Sequence, residues 1–353
     1  MNARKSARCC IREVSERIGM KARAGRYGRD RREIREEAGQ LETTRVNAVF
    51  EGGGVRGISL VGAVRAAERH NVVFNRVAGA SSGSIVAALL AAGYTAAEMK
   101  AAIERTPISS LLKKSVLPAV RLFLRKGLYS GKWLELWIAE LLEAKGVRTF
   151  GDLPDGKLRI IASDITNGRL LVLPGDIAQY GVAPELFSVA RAVRMSTSIP
   201  YFFDPVILRQ PFKERQKQAA LSKFSYVVDG GLLSNFPLWL FQNDNSSDPA
   251  VPVIGFQMVG RSDARPHRID GPVSMFQAIF ETMLSAHDER YIEKNKAIRT
   301  IKIPTLGVGG TQFNLSPEKS EALYRSGLEA GEKFFQSWDR KLGMLKVTIS
   351  KTK

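Results

Sequence analysis

Two short glycine-framed motifs, Gly52-Gly53-Gly54-Val55-Arg56-Gly57 and Gly79-Ala80-Ser81-Ser82-Gly83, each follow a run that reads as a β-strand and lead into one that reads as a buried helix. A strand that turns tightly into a helix twice in succession restricts the chain to α/β architectures, because each helix must pack back on the sheet that its strand joins. The second motif also fits the G-x-S-x-G nucleophile elbow, in which a serine sits on a sharp turn with its hydroxyl exposed. Gly79 and Gly83 flank it where a Cβ would clash.

The same alternation continues downstream. Order begins at the β-rich run Arg45 to Glu51; Ile58 to Val64 and Ile85 to Ala92 suit buried helices, and Thr95-Ala96-Ala97-Glu98 has the form of a capping box opening the next. Further β runs fall at Leu158 to Ser163, Leu170 to Leu173, Tyr226 to Asp229, Val251 to Gln257 and Thr300 to Ile303, with helical stretches near 183 to 195 and 272 to 294. Ser316-Pro317 supplies an N-cap and a first-turn proline for a last helix. This order of elements predicts a mainly parallel sheet with helices on both faces.

Before residue 44 the chain changes character. Arg29, Arg31, Arg32 and Arg35 interleave with Asp30, Glu33, Glu36 and Glu37, with few large apolar residues, so residues 1–43 read as a disordered or loosely helical basic arm. Acylation of the adjacent Cys9 and Cys10 would make that arm a membrane tether. Two neighbouring cysteines cannot close a useful loop, so a reducing compartment is expected. No apolar signal-peptide core is seen at the start, and no apolar run reaches the ~20 residues of a membrane span. The expected location is therefore cytoplasmic or peripheral to a membrane. The remaining boundaries are a catalytic domain over 44–340, with the motifs in 45–242 and a helical part over 243–340, and a basic tail over 341–353.

With 53 Lys and Arg against 35 Asp and Glu, the 353-residue chain carries a formal charge of +18. Such a charge draws a chain to anionic surfaces, whether phospholipid headgroups or nucleic acid, or, being spread along the body, serves only solubility or reflects the host's composition. Neither aromatic interleaving nor a recognisable nucleic-acid module accompanies the charge, so peripheral contact with an anionic membrane surface is the expected partner.

The chemistry depends on how the two glycine motifs are completed. Gly52, Gly54 and Gly57 also satisfy the dinucleotide pattern G-x-G-x-x-G, but a nicotinamide site wants an acidic residue closing the second strand, and that strand runs into Gly79-Ala80-Ser81. Backbone N–H groups in a Gly-Gly-Gly turn opening a helix point at an anion before them, and could hold a tetrahedral oxyanion. Arg56 could reinforce that charge, bind a phosphate headgroup, or cover the turn. No cofactor or metal is expected.

Ser81 needs a base, and histidines are scarce. His70 stands at the far end of the strand that reaches Ser81; His267 falls in a polar Arg-Pro-His-Arg run, and His287 has Asp288, Glu289 and Arg290 as neighbours. A carboxylate serves if burial raises its proton affinity and geometry brings it within hydrogen-bond reach. Asp229 ends the run Tyr226-Val227-Val228 and precedes Gly230-Gly231, and in a parallel sheet its edge would also carry the elbow and the glycine loop. Alone it would be a turn; beside the other motifs it completes one site.

The ordered set of Gly52 to Gly57, Gly79 to Gly83 and Asp229-Gly230-Gly231 resembles the patatin-like phospholipase family. The stretch Arg191 to Pro205, with Arg194, Ser196, Ser198-Ile199-Pro200 and Phe203-Asp204-Pro205, is similar to that family's helix and turn between elbow and aspartate. The resemblance covers about 45 to 240, and the tail to about 338 is similar to the helical end of bacterial members. It implies a three-layer α/β/α fold with a mainly parallel central sheet. It also implies a histidine-free Ser-Asp dyad in which Ser81 attacks an ester carbonyl, Asp229 accepts its proton, and the N–H groups of Gly53 and Gly54 hold the oxyanion. The implied activity is that of a phospholipase A or lysophospholipase; a neutral-lipid or generic carboxylesterase, or a weakly catalytic basic protein binding membranes or nucleic acid, are the alternatives.

Between elbow and aspartate, the stretch Leu111 to Leu128 mixes apolar and basic residues. On a helix, Lys114, Arg121 and Arg125 would share one side and Val116, Val120, Phe123 and Leu124 another, which suits either a lid at a lipid interface or an ordinary helix packed on the domain.

Overall fold

The computed structural model describes residues 43–106, 118–209, 223–242, 251–260, 269–271, 274–276, 278–279, 282 and 299–350. The basic arm, the segment 107–117 at the start of the expected lid, His267, His287 and most of the expected helix at 272–294 lie outside the described residues.

The chain opens as expected: β1 (Thr44–Phe50), the glycine loop, α1 (Ile58–Arg69), β2 (Val72–Ala80) and α2 (Ser82–Ala91). Next is α3 (Ala96–Arg105), whose Thr95–Glu98 capping box forms in both directions. After α4 (Pro118–Arg125), β3 (Gly127–Tyr129) and α5 (Lys132–Glu143) come β4 (Leu158–Asp164), β5 (Arg169–Leu173) and α6 (Val189–Ser196). The expected helix near 183 to 195 is thus a 3-10 turn, Pro184–Leu186, followed by a separate helix capped by Ser188. Then follow β6 (Tyr201–Phe203), β7 (Val206–Arg209), β8 (Phe224–Asp229), β9 (Val253–Val259), β10 (Arg299–Pro304) and α7, which begins at Pro317 as the Ser-Pro signal predicts and runs to Ser350.

Among the described residues the sheet runs β10-β9-β1-β2-β4-β8-β7, with β5 added to β4. The pairs from β10 through β4 are parallel. Side chains alternate between its faces as strand geometry demands. Val46, Ala48 and Phe50 enter one cluster with α1, α2 and α7, while Val49, Ala78, Ala80 and Ile161 face the other way, onto Phe236, Leu238, Leu240 and Phe241.

One expectation is corrected. Asp229 does not lie at the edge of a parallel strand, because β8 runs antiparallel to β4. Its place follows from register. β2 pairs with β4 as far as Ala80 opposite Ile161, β8 pairs from Asp229 opposite Ala162, and β5 pairs with Ile160 to Asp164 throughout. Each strand has only two edges, so β2 and β8 share one edge of β4 and run toward each other. They stop at adjacent residues with their C-terminal ends face to face.

Candidate active site

Ser81 is where β2 leaves the sheet. Its backbone stands at φ 49 and ψ −128, a region that a residue with a Cβ enters only when its surroundings enforce it. The enforcement is visible: a Cβ on Gly79 would fall 2.4 Å from the Gly83 carbonyl oxygen, and one on Gly83 would fall 2.3 Å from that of Phe50. The elbow is thus closed on itself and pressed against the end of β1. The Ser81 carbonyl accepts from the Ser84 N–H at 2.9 Å and from the Ser84 hydroxyl at 2.6 Å.

Opposite stands Asp229. The Ser81 hydroxyl donates to Asp229 Oδ2 at 2.7 Å, and Asp229 Oδ1 accepts the Gly231 N–H at 2.8 Å. Both side chains are enclosed, with Ser81 6% and Asp229 1% exposed. Burial pushes the Asp229 carboxyl up to about 7, against the smaller opposing effect of its hydrogen bonds from Ser81 and Gly231. The chain can turn away there because residue 230 is glycine: a Cβ would fall 2.2 Å from the Ile161 carbonyl oxygen.

The glycine loop packs against this pair and is held at several points. Gly52 donates its N–H to the Asn235 carbonyl at 3.1 Å and accepts from Asn235 Nδ2 at 3.1 Å. Val55 N–H donates to the Gly310 carbonyl. The Arg56 Nε donates to the Gly53 carbonyl at 3.0 Å, so this side chain braces its own loop. Gly53 N–H donates to the Ser82 hydroxyl at 3.0 Å. Gly54, at φ 59, carries an N–H without a hydrogen-bond partner among the described residues.

Three residues of α6 and its C-terminal turn hold both members of the pair. Ser81 N–H donates to the Ser196 hydroxyl at 2.9 Å, and Asp229 N–H donates to the Ser198 carbonyl at 2.9 Å. The buried Arg194 guanidinium donates to the Ser198 hydroxyl and, through Nη2, to the Asp204 carbonyl at 2.6 Å. Burial lowers its proton affinity to about 10, opposed by the charges of Glu135 and Asp204, so it stays a cation. The contacts of Ser196 and Ser198 with Ser81 and Asp229 join residues far apart in the sequence, as do those of Ser82 and Asn235 with the glycine loop, for which the one local signal is a second serine inside the elbow. Ser196→Ala is expected to lower kcat about tenfold with little change in KM, because it frees the Ser81 backbone without touching substrate. Steady-state hydrolysis of a lipid ester would show it.

His70 lies at the opposite end of β2 from Ser81, with Nε2 2.8 Å from Glu332 and its ring stacked on Phe335.

The family model for patatin-like phospholipase matches residues 48–241. The chain is 45% identical over 301 residues to the uncharacterized protein YqhO of Bacillus subtilis (strain 168), covering 83% of this chain and 99% of YqhO. It is 28% identical over 208 residues to the probable lipid hydrolase 463L of Invertebrate iridescent virus 6, covering 54% of this chain and 61% of that one. Among solved structures, VipD from Legionella pneumophila matches at a TM-score of 0.49 and 18% identity, over 84% of this chain and 67% of its own. The chain belongs to the patatin-like phospholipase family. Its general class is accordingly that of a lipid acyl hydrolase.

Proposed function

We propose that the chain hydrolyses acyl esters of phospholipids, as a phospholipase A or lysophospholipase, through Ser81 and Asp229. The observation that carries this reading is the 2.7 Å contact from the Ser81 hydroxyl to a buried carboxylate. Asp229 takes the Ser81 proton as Oγ bonds to the ester carbonyl carbon, and the resulting oxyanion accepts from the glycine loop, with Gly54 N–H as the donor that is free to meet it. The tetrahedral intermediate collapses, the carbon–oxygen ester bond breaks, and Asp229 returns the proton to the leaving alcohol. A water molecule then repeats the sequence on the acyl-enzyme, giving its proton to Asp229 and releasing the fatty acid as Ser81 is reprotonated.

A carboxylate of ordinary acidity would be too weak a base for a serine hydroxyl. Burial that lifts Asp229 to about 7 narrows that gap while leaving it largely ionised above pH 7. Ser81→Ala is expected to lower fatty-acid release from phospholipid by roughly a thousandfold or more. Release at the parental rate would refute the assignment.

Access to lipid rests on the surface beside α4. Leu124 is 67% exposed and is followed by the exposed Arg125 and Lys126, and Ile207 of β7 is 49% exposed. Lys126 Nζ lies 4.9 Å from the Tyr226 ring, and Tyr226 pairs with Ile207 across the β7–β8 ladder, so Lys126, Tyr226 and Ile207 form one patch of apolar and basic character. No helix among the described residues is long and apolar enough to cross a membrane. The patch supports peripheral contact with an anionic bilayer. Co-sedimentation with vesicles should rise with phosphatidylserine content and fall with salt; binding indifferent to both would remove electrostatic docking from the account.

A further inference from the structure

Against the glycine loop lies a cavity of about 370 Å³, lined by neither Ser81 nor Asp229, whose use the dyad leaves unassigned. Gly54, whose N–H has no hydrogen-bond partner among the described residues, and Ser82, directly after the nucleophile, both line it. Its walls are apolar: Ile58 from α1, Ile85 and Val86 from α2, Ile103 from α3, Trp137 from α5 and Leu315 before α7. Ile85 and Val86 lie one helical turn beyond Ser82, so the face of α2 that begins beside Ser81 continues as the cavity wall. The volume is in the range of sites that enclose small ligands.

Part of the lining is charged. Lys100 of α3 bridges Glu104 at 2.6 Å and Glu321 of α7 at 3.1 Å, and its ammonium stands 5.1 Å from the Tyr324 ring centroid; Lys100, Glu104, Glu321 and Tyr324 all line the cavity. These charged side chains are partly exposed, so the cavity joins Gly54 and Ser82, apolar walls and an ionic rim.

We propose that this cavity holds the acyl chain of the substrate, and that the Lys100–Glu321 bridge at its rim sets the longest chain it accepts. The proposal rests on the hydrolase reading above and deepens it. A carbonyl at Ser81 that turns its oxygen to Gly54 N–H has Gly54 and Ser82 beside it, and both residues open onto the apolar cavity. Each methylene added inside the walls gains roughly fourfold in affinity. At the rim the gain stops, since the next methylene meets an ion pair and water.

The test separates binding from turnover. In the Ser81→Ala protein, displacement of bound cis-parinaric acid by saturated fatty acids from octanoic to stearic should show affinity rising with length and then levelling. Ile103→Trp, and independently Leu315→Trp from the opposite wall, should weaken parinaric acid binding at least tenfold while the thermal unfolding midpoint shows a folded protein. Lys100→Met, which replaces the rim cation by an apolar chain of similar length, should move the levelling point to longer acids. In the Ser81-containing protein the same wall substitutions should lower the palmitate-to-butyrate preference on p-nitrophenyl esters at least tenfold. Parinaric acid binding unchanged by both wall substitutions overturns the cavity assignment, and an unmoved levelling point in Lys100→Met overturns the role of the rim. Length-dependent binding with no ester hydrolysis by the parent would uphold the cavity while refuting the hydrolase reading; hydrolysis with an unchanged chain preference would do the reverse.

Discussion

Asp229→Asn is expected to lose about a hundredfold to ten-thousandfold in ester hydrolysis and, above pH 7, to unfold at a higher temperature than the parent. The two effects share one cause. A buried carboxylate that binds its proton up to about pH 7 in the folded chain, and only up to the ordinary aspartate value of 3.8 when unfolded, makes the folded state the better proton acceptor between those values. Stability from this group is therefore full below the unfolded value, declines as pH rises toward about 7, and stays lost above it. The loss is on the order of a few kcal/mol. Asparagine is neutral at every pH, keeps an acceptor for the Gly231 N–H, and can donate to the Ser81 oxygen, so it escapes the penalty while lacking a base. Thermal unfolding of both proteins across the neutral range should show the curves together in acid and separating in favour of Asn as pH rises. An Asn variant less stable than the parent above pH 7 would mean that Asp229 is not held against its ionisation.

Gly83→Ala is expected to cost about 3 kcal/mol or more, a large part of the stability of an ordinary domain. The added Cβ would lie 2.3 Å from the Phe50 carbonyl oxygen and 2.6 Å from that of Glu51, and both are backbone atoms at the end of the central strand β1. A flexible side chain could yield; β1, paired on both edges by β2 and β9, cannot do so cheaply. Relief must come from lifting the elbow, which parts Ser82 from Gly53 N–H and Ser81 from Asp229. Denaturant unfolding should show the stability loss, with lipid hydrolysis reduced in whatever fraction folds. A variant of parental stability and activity would show that the elbow is looser than this packing requires.

The local parts of this site were readable from the chain because each is written in neighbouring residues. The elbow, the glycine loop and the Asp-Gly-Gly turn each need glycine where backbone approaches backbone, and the Thr95–Glu98 box and Ser316-Pro317 mark helix starts by short-range hydrogen bonding and ring geometry. What escaped is set by pairing across distance. Nothing near Asp229 in the sequence says that β8 runs against β4, yet that register brings it to a serine 148 positions away. The same holds for Ser196 and Ser198: their hydroxyl and carbonyl matter only because α6 ends where β2 and β8 meet. The Gly53 N–H, expected to face an oxyanion, is already paired to Ser82, a contact that depends on how the two glycine motifs nest. Basic residues were visible as composition, but that Lys126 stands beside the Tyr226 ring was decided by where the chain after α4 meets β8.

Covalent labelling by a fluorophosphonate tests most directly whether Ser81 is a nucleophile served by the buried Asp229. Located by peptide mass spectrometry, the label should fall on Ser81, react more slowly as pH is lowered through about 7, and slow by about a hundredfold or more in Asp229→Asn. A label on another residue, or equal labelling rates in the parent and Asp229→Asn, would rule out the Ser81–Asp229 dyad.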